Sequence, residues 1–178
     1  MNLKIVFVQN KQWWNIASAI IRLYTCSQWD HVGIYIDNNT LSEIKKADVY
    51  QRLSNLTHGR ANTPLIFDAT VTRGVKLRKL DNTKRHQVLA LQNCGITAEN
   101  LVTFIFRYNN TKYDLCGVFS HVCKKIKQRN NAFYCSELIS KLFTDYQSLT
   151  HDPVKIPVNP TPQQVYTSLI SYAGANHV

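Results

Sequence analysis

The sequence predicts an α+β fold. Three observations carry that prediction: a short apolar strand opens the chain, strand-like segments recur through its first half, and helix-periodic stretches dominate its second half. With 178 residues, 44% of them hydrophobic and 18% charged, the chain has the length and composition of a single globular domain over 1–178.

The elements follow in order. Leu3 to Val8 (LKIVFV) reads as a buried strand, and Trp13 to Thr25 as a helix with apolar residues at 13, 16, 17, 20, 21 and 24. A second strand, His31 to Asp37, sets His31, Gly33 and Tyr35 on one face against Val32, Ile34 and Ile36 on the other, and DNNT closes it as a turn. Leu41 to Leu56, polar with sparse apolar positions, fits a surface helix or an insertion. Leu65 to Thr70 and Gly74 to Leu80 read as two strands joined by a tight turn at TRG.

Two helices with hydrophilic starts are expected next. The clearer is Ala98 to Tyr108, capped by Thr97, with a stripe of Leu101, Phe104, Ile105 and Tyr108. Asp114 is placed to cap a further helix striped by Leu115, Val118, Phe119, Val122 and Ile126. The next carries Cys135, Leu138, Ile139, Leu142, Phe143 and Tyr146 on one broad face. A last helix is announced by Thr161 as cap, Pro162 in the first position and Gln164 completing a capping box.

The net charge of +10 favours contact with an anionic surface: nucleic acid, anionic lipid or a wall polymer. The basic residues are dispersed, with modest clusters at Lys124 to Arg129 and Arg73 to Lys79, so a solvated basic face is favoured over a nucleic-acid groove. Five cysteines at irregular spacing suit reduced thiols in a cytoplasmic setting, and the short apolar run Ile5 to Val8 does not make a cleaved signal. No run is long enough to span a membrane. Cys116, His121 and Cys123 fall inside one helix with His121 across from the other two, and no paired CxxC or HExxH occurs. No metal or organic cofactor is expected.

Cys135 stands out among the cysteines. It opens a helix, where free backbone N–H groups and the positive dipole end stabilise a thiolate and also suit a developing oxyanion. A thiolate needs a base. His58, His86, His151 and His177 fall in polar loops, helix starts or the tail, and His121 flanks an apolar helix face as a structural histidine would. His31 opens a strand and projects from a rigid element, although taken alone a structural role is the commoner one for such a residue. The group orienting His31 stays open between Asp68, a carboxylate inside an apolar strand, and Asp30, Asp37 and Asp114.

The ordered set WDHVGIYI (Trp29 to Ile36), FDATVTRGVKL (Phe67 to Leu77), KYDLCGVF (Lys112 to Phe119) and FYCSELISKLF (Phe133 to Phe143) resembles the circularly permuted NlpC/P60 papain-like hydrolases of the YiiX-like group. In that group the histidine strand precedes the cysteine helix. The resemblance covers nearly the whole chain and implies a permuted papain-like domain, a small antiparallel sheet packed against helices. It implies Cys135 as nucleophile, His31 as base and Asp68 as orienter, with Tyr113 and Tyr134 lining the cleft; Asp30 stands where many relatives have serine. The implied activity is hydrolysis of, or acyl transfer from, an amide or ester through a thioester. The implied substrates are peptide or isopeptide amides, peptidoglycan peptides, and lipid esters or amides, and the basic charge adds an anionic polymer or membrane surface. The competing expectations are a non-catalytic basic binding module and a virion-associated structural protein, with Cys135 as plain core.

Overall fold

A computed structural model of the chain describes residues 1–9, 27–46, 53, 64–81, 84–120, 131–147 and 153–175. The helix expected over Trp13 to Thr25 lies outside the described residues, as do His58, His121, Cys123, His151 and His177.

An antiparallel five-stranded sheet organises the molecule. Its strands are β1 (Leu3–Gln9), β2 (His31–Ile36), β3 (Leu65–Thr70), β4 (Gly74–Lys79) and β5 (Arg85–Leu91), in the order β4-β3-β2-β1-β5. β1 reads as an apolar run from Ile5 to Val8 because both of its faces are covered there. Leu3, Ile5 and Phe7 enter the main core, while Val6 and Val8 pack with Ile66 and Leu80 in a smaller cluster. The β3–β4 hairpin turns at Thr70 to Gly74. Gly74 has φ +68°, and a Cβ there would come within 2.4 Å of the Thr111 carbonyl oxygen, so both conformation and space call for glycine.

The helices are α1 (Asn38–Lys46), α2 (Ala98–Tyr108), α3 (Leu115–Ser120), α4 (Cys135–Tyr146) and α5 (Pro162–Ala175). α4 packs on β2 and β3, and α5 lies against α4 and β5. Leu138, Ile139, Leu142 and Phe143 of α4 join Leu101, Phe104 and Ile105 of α2 and Val165 and Leu169 of α5 in the main core. This is an α+β fold with the antiparallel sheet on helices, as expected. The caps of α2 and α5 also follow the sequence: Thr97 Oγ1 accepts from the Asn100 N–H (3.1 Å), and Thr161 Oγ1 accepts from the Gln164 N–H (3.2 Å) while Gln164 Oε1 accepts in return (2.8 Å).

Three local features depart from the sequence reading. DNNT starts a helix instead of closing a turn: Asp37 Oδ1 accepts from both the N–H and the hydroxyl of Thr40, each at 2.9 Å, so the aspartate caps α1. The stretch after Leu80, expected to open a helix, is the edge strand β5. Its seven residues pair in register with all of β1, and that pairing outweighs a local sequence with little strand character. Two short strands, β6 (Lys112–Tyr113) and β7 (Ala132–Phe133), pair in parallel and leave no two-residue signal strong enough to read. They matter for the site, because they bring the residue before α3 alongside the residue before α4: the Asp114 N–H donates to the Phe133 carbonyl at 3.2 Å. Among the described residues no helix is long and apolar enough to cross a membrane.

Candidate active site

Cys135 is the first residue of α4, and Tyr134 before it is extended (φ −93°, ψ 168°), so the helix begins abruptly at the sulfur-bearing residue. Glu137 reaches back over that first turn, its Oε2 accepting from the Tyr134 N–H at 3.4 Å. Ser136, fully buried, donates its hydroxyl to the Pro160 carbonyl at 2.6 Å and ties the same turn to the segment leading into α5. The Cys135 residue is 5% exposed.

β2 and β3 deliver the other groups. His31 opens β2 and Asp68 lies near the end of β3. The register Ile34↔Phe67 sets Asp68 across from Gly33, so the acid is a diagonal neighbour of His31 on the same sheet face. His31 Nε2 and Asp68 Oδ2 are 2.6 Å apart. Gly33 makes this approach possible: a Cβ there would lie 2.8 Å from the Ile66 side chain and 2.9 Å from Asp68 Cβ. Nε2 is engaged by the carboxylate, and Cys135 is the other side chain whose interaction bears on the imidazole.

The charges agree with that geometry. Burial pulls the His31 pKa down, but the charge and hydrogen bond of Asp68, joined by Cys135, overcome it and push the value up from 6.5 to about 10. For Asp68, burial works upward, yet His31 and Arg78 together hold the carboxyl below its ordinary range. Asp68 has no exposed side-chain surface, and the Arg78 guanidinium grips it, Nε donating to Oδ1 at 3.0 Å and Nη2 to Oδ2. Burial and the nearby Cys135 and Asp114 drive the Tyr113 phenol pKa upward. Tyr134 is raised by burial and by Glu137, Cys135 and Asp114. Both tyrosines therefore stand beside the sulfur as neutral hydroxyls at physiological pH.

The structure thus brings together Cys135, His31, Asp68, Tyr113 and Tyr134. Asp30 is 6% exposed, its N–H donating to the Val8 carbonyl at 3.3 Å where the chain enters β2. Asp37 caps α1 and pairs with Lys4, and Asp114 is buried at the start of α3. Arg78 gains its meaning only from the fold. In the sequence Arg78 is one member of a basic cluster, and its period-two relation to Asp68 across β3 and β4 becomes visible only once the register is known. Among the described residues no group of three or more His, Cys, Asp or Glu side chains is placed to hold a metal ion.

Glu137 is the one carboxyl near the sulfur with a pKa raised into the neutral range. Burial, helped by Asp114 and opposed by the Tyr134 N–H, pushes it from 4.5 to about 7. Between these values the folded chain holds a proton that the unfolded chain has released. Its contribution to stability is therefore full below 4.5 and is lost as pH rises through about 7. Glu137→Gln is expected to flatten the fall in stability between about pH 5 and pH 8, read from urea midpoints at each pH. An unchanged slope would show that Glu137 does not titrate in that interval.

A search of curated proteins returns no match. The model of a family described as permuted papain-like amidase enzymes, YaeF/YiiX, C92, matches residues 4–157, a span that runs from within β1 to beyond α4 and includes the Cys135, His31 and Asp68 positions just described. By that match over most of its length, the chain belongs to the permuted papain-like amidase family, YaeF/YiiX, C92.

Proposed function

We propose that the chain is a cysteine amidase in which Cys135 is the nucleophile, His31 the base and Asp68 the group that orients His31. The observation that supports this reading is the 2.6 Å His31–Asp68 contact, with Cys135 at the first residue of its helix and acting on the same imidazole. The proton of the Cys135–His31 pair resides on His31, and the Cys135 thiolate attacks the carbonyl carbon of the amide. The new C–S bond forms a tetrahedral oxyanion beside the N-terminal amides of α4. Collapse of that intermediate breaks the C–N bond as the imidazolium returns its proton to the departing amine. Water, deprotonated by His31, then cleaves the thioester and regenerates the thiol; an amine or alcohol acceptor in place of water gives acyl transfer by the same steps. Tyr113 and Tyr134 flank the cleft as hydroxyl donors.

The substrate class favoured is a peptide-type amide carrying negative charge. Arg73, Lys76, Lys79 and Lys112 are exposed along β4 and the segment hydrogen-bonded to it through Val75 and Thr111, and 69–80 and 100–113 contain no acidic residue. Such a field raises the local concentration of an anionic substrate and weakens with salt.

Site-resolved alkylation with iodoacetamide at neutral pH tests the nucleophile. Cys135 is expected to react roughly 10-fold or more faster than Cys94 and Cys116, and to lose that advantage in His31→Ala. Uniform slow labelling of all cysteines would sink the reading.

A further inference from the structure

We propose that Arg78 is a positioning residue for the reaction: it locks the Asp68 carboxylate in the plane that His31 needs, and it completes the charge balance of the site. The inference deepens the Cys135–His31–Asp68 reading and rests on it.

The first support is the shape of the contact. A carboxylate held only by His31 turns about its own side-chain bonds and presents Oδ2 at variable angles. Arg78 removes that freedom, because Nε binds Oδ1 at 3.0 Å while Nη2 binds Oδ2, the oxygen His31 uses. A two-point fork fixes a plane, as a single ammonium does not. Asp68 has no exposed surface, so water cannot supply the missing bonds.

The second support is the register. Asp68 lies directly across from Lys76, and Arg78 across from Ile66. The nearest cross-strand cation is therefore Lys76, yet Lys76 is exposed and the diagonal arginine takes the carboxylate. His31 on β2, Asp68 on β3 and Arg78 on β4 form a diagonal across one face of the sheet, with Gly33 supplying the room.

The third support is charge. In the reactive form the series runs thiolate, imidazolium, carboxylate, guanidinium, alternating in sign and neutral as a whole. Without Arg78 the buried set carries one net negative charge, which favours the uncharged thiol and loosens the carboxylate. The groups facing Asp68 are thus His31 from β2 and Arg78 from β4, with Lys76 opposite and Cys135 beyond the imidazole.

The test is the pH profile of Cys135 alkylation by iodoacetamide in the full chain. Arg78→Met is expected to slow alkylation at neutral pH roughly 10-fold and to move the acid limb of the profile to higher pH, because Asp68 loses a cation that favours its ionised form. Arg78→Lys restores the charge without the fork and should recover the acid limb but only part of the rate. Asp68→Asn and the double variant Asp68→Asn/Arg78→Met guard against misfolding, since the double variant leaves no unpaired buried charge; on top of Asp68→Asn, Arg78→Met should change the rate by less than about twofold. Equal slowing by Arg78→Met in the wild-type and Asp68→Asn backgrounds would overturn the proposal, since Arg78 would then act without the carboxylate. A fast wild type, a slow His31→Ala and an unchanged Arg78→Met would overturn Arg78 alone. A wild type no faster than His31→Ala would remove the cysteine–histidine pair itself, and any role for Arg78 with it.

Discussion

Cys135→Ala is expected to abolish amide hydrolysis, with a loss of roughly 10⁴-fold or more, while far-UV circular dichroism and the unfolding midpoint stay close to wild type. The two halves of that expectation rest on different facts. The sulfur at the start of α4 is the group that forms the covalent acyl intermediate in this mechanism, and the neighbouring Ser136 hydroxyl, committed to the Pro160 carbonyl, does not substitute for it. Structurally, alanine retains the helix and removes one atom from a residue at the edge of the core, next to Leu138 and Ile139, which continue to hold α4 against the sheet. The measurement is turnover of acidic N-acyl peptide amides, followed by release of the amine. Cys135→Ser serves as the near-isosteric control and should be almost as inactive, because a hydroxyl paired with an imidazole tuned for a thiol is a poor nucleophile. Retained turnover in the alanine variant would move the nucleophile elsewhere.

Asp68→Ala should be costly in both activity and stability. It removes an acceptor from His31 and strands the Arg78 guanidinium, and breaking a buried pair of this kind costs about 3 kcal/mol. Asp68→Asn keeps an oxygen for the ring and should fall between wild type and alanine in turnover. The pH dependence separates charge from shape. His31 is raised from 6.5 to about 10, so its ion-pair contribution is complete below about 6.5 and disappears as pH climbs through about 10. Asp68 is held below 3.8, so its contribution is present above that value and is lost on acidification through its lowered pKa. Wild-type stability from these two groups should form a plateau between those limits. In Asp68→Asn the alkaline edge should retreat to lower pH, because the charge that raised His31 is gone. Thermal midpoints across the pH range measure the edge; one that stays in place would mean another group sustains the imidazolium.

Much of this site is legible in the sequence. Periodicity places β1, β3, β4, α2 and the start of α4, since each combines a clear period with a turn or cap, and the position of Cys135 at a helix start follows directly. Partnership is what the linear order hides. Asp30, Asp37 and Asp114 stay rivals to Asp68 there, although Asp37 has a turn role and Asp114 a cap role, and only strand register sets Asp68 diagonally to His31. Arg78 is hidden for the same reason: its partner is ten residues away across a hairpin. β5 escapes a sequence reading because its exposed Arg85, His86 and Gln87 lack the alternation of a half-buried strand, and its stability comes from β1 instead.

The order of the sheet also governs how the site comes into being. β1 pairs with β5 from Leu3 to Leu91, and the sulfur–imidazole–carboxylate series draws on positions from His31 to Cys135, so few of its contacts are local. Chain closures of that length slow folding, and the ring, carboxylate and sulfur meet only after β2 and β3 have paired and α4 has packed on them. Refolding from urea should therefore recover helical signal before thiol reactivity, leaving a partly folded chain that is compact yet chemically silent.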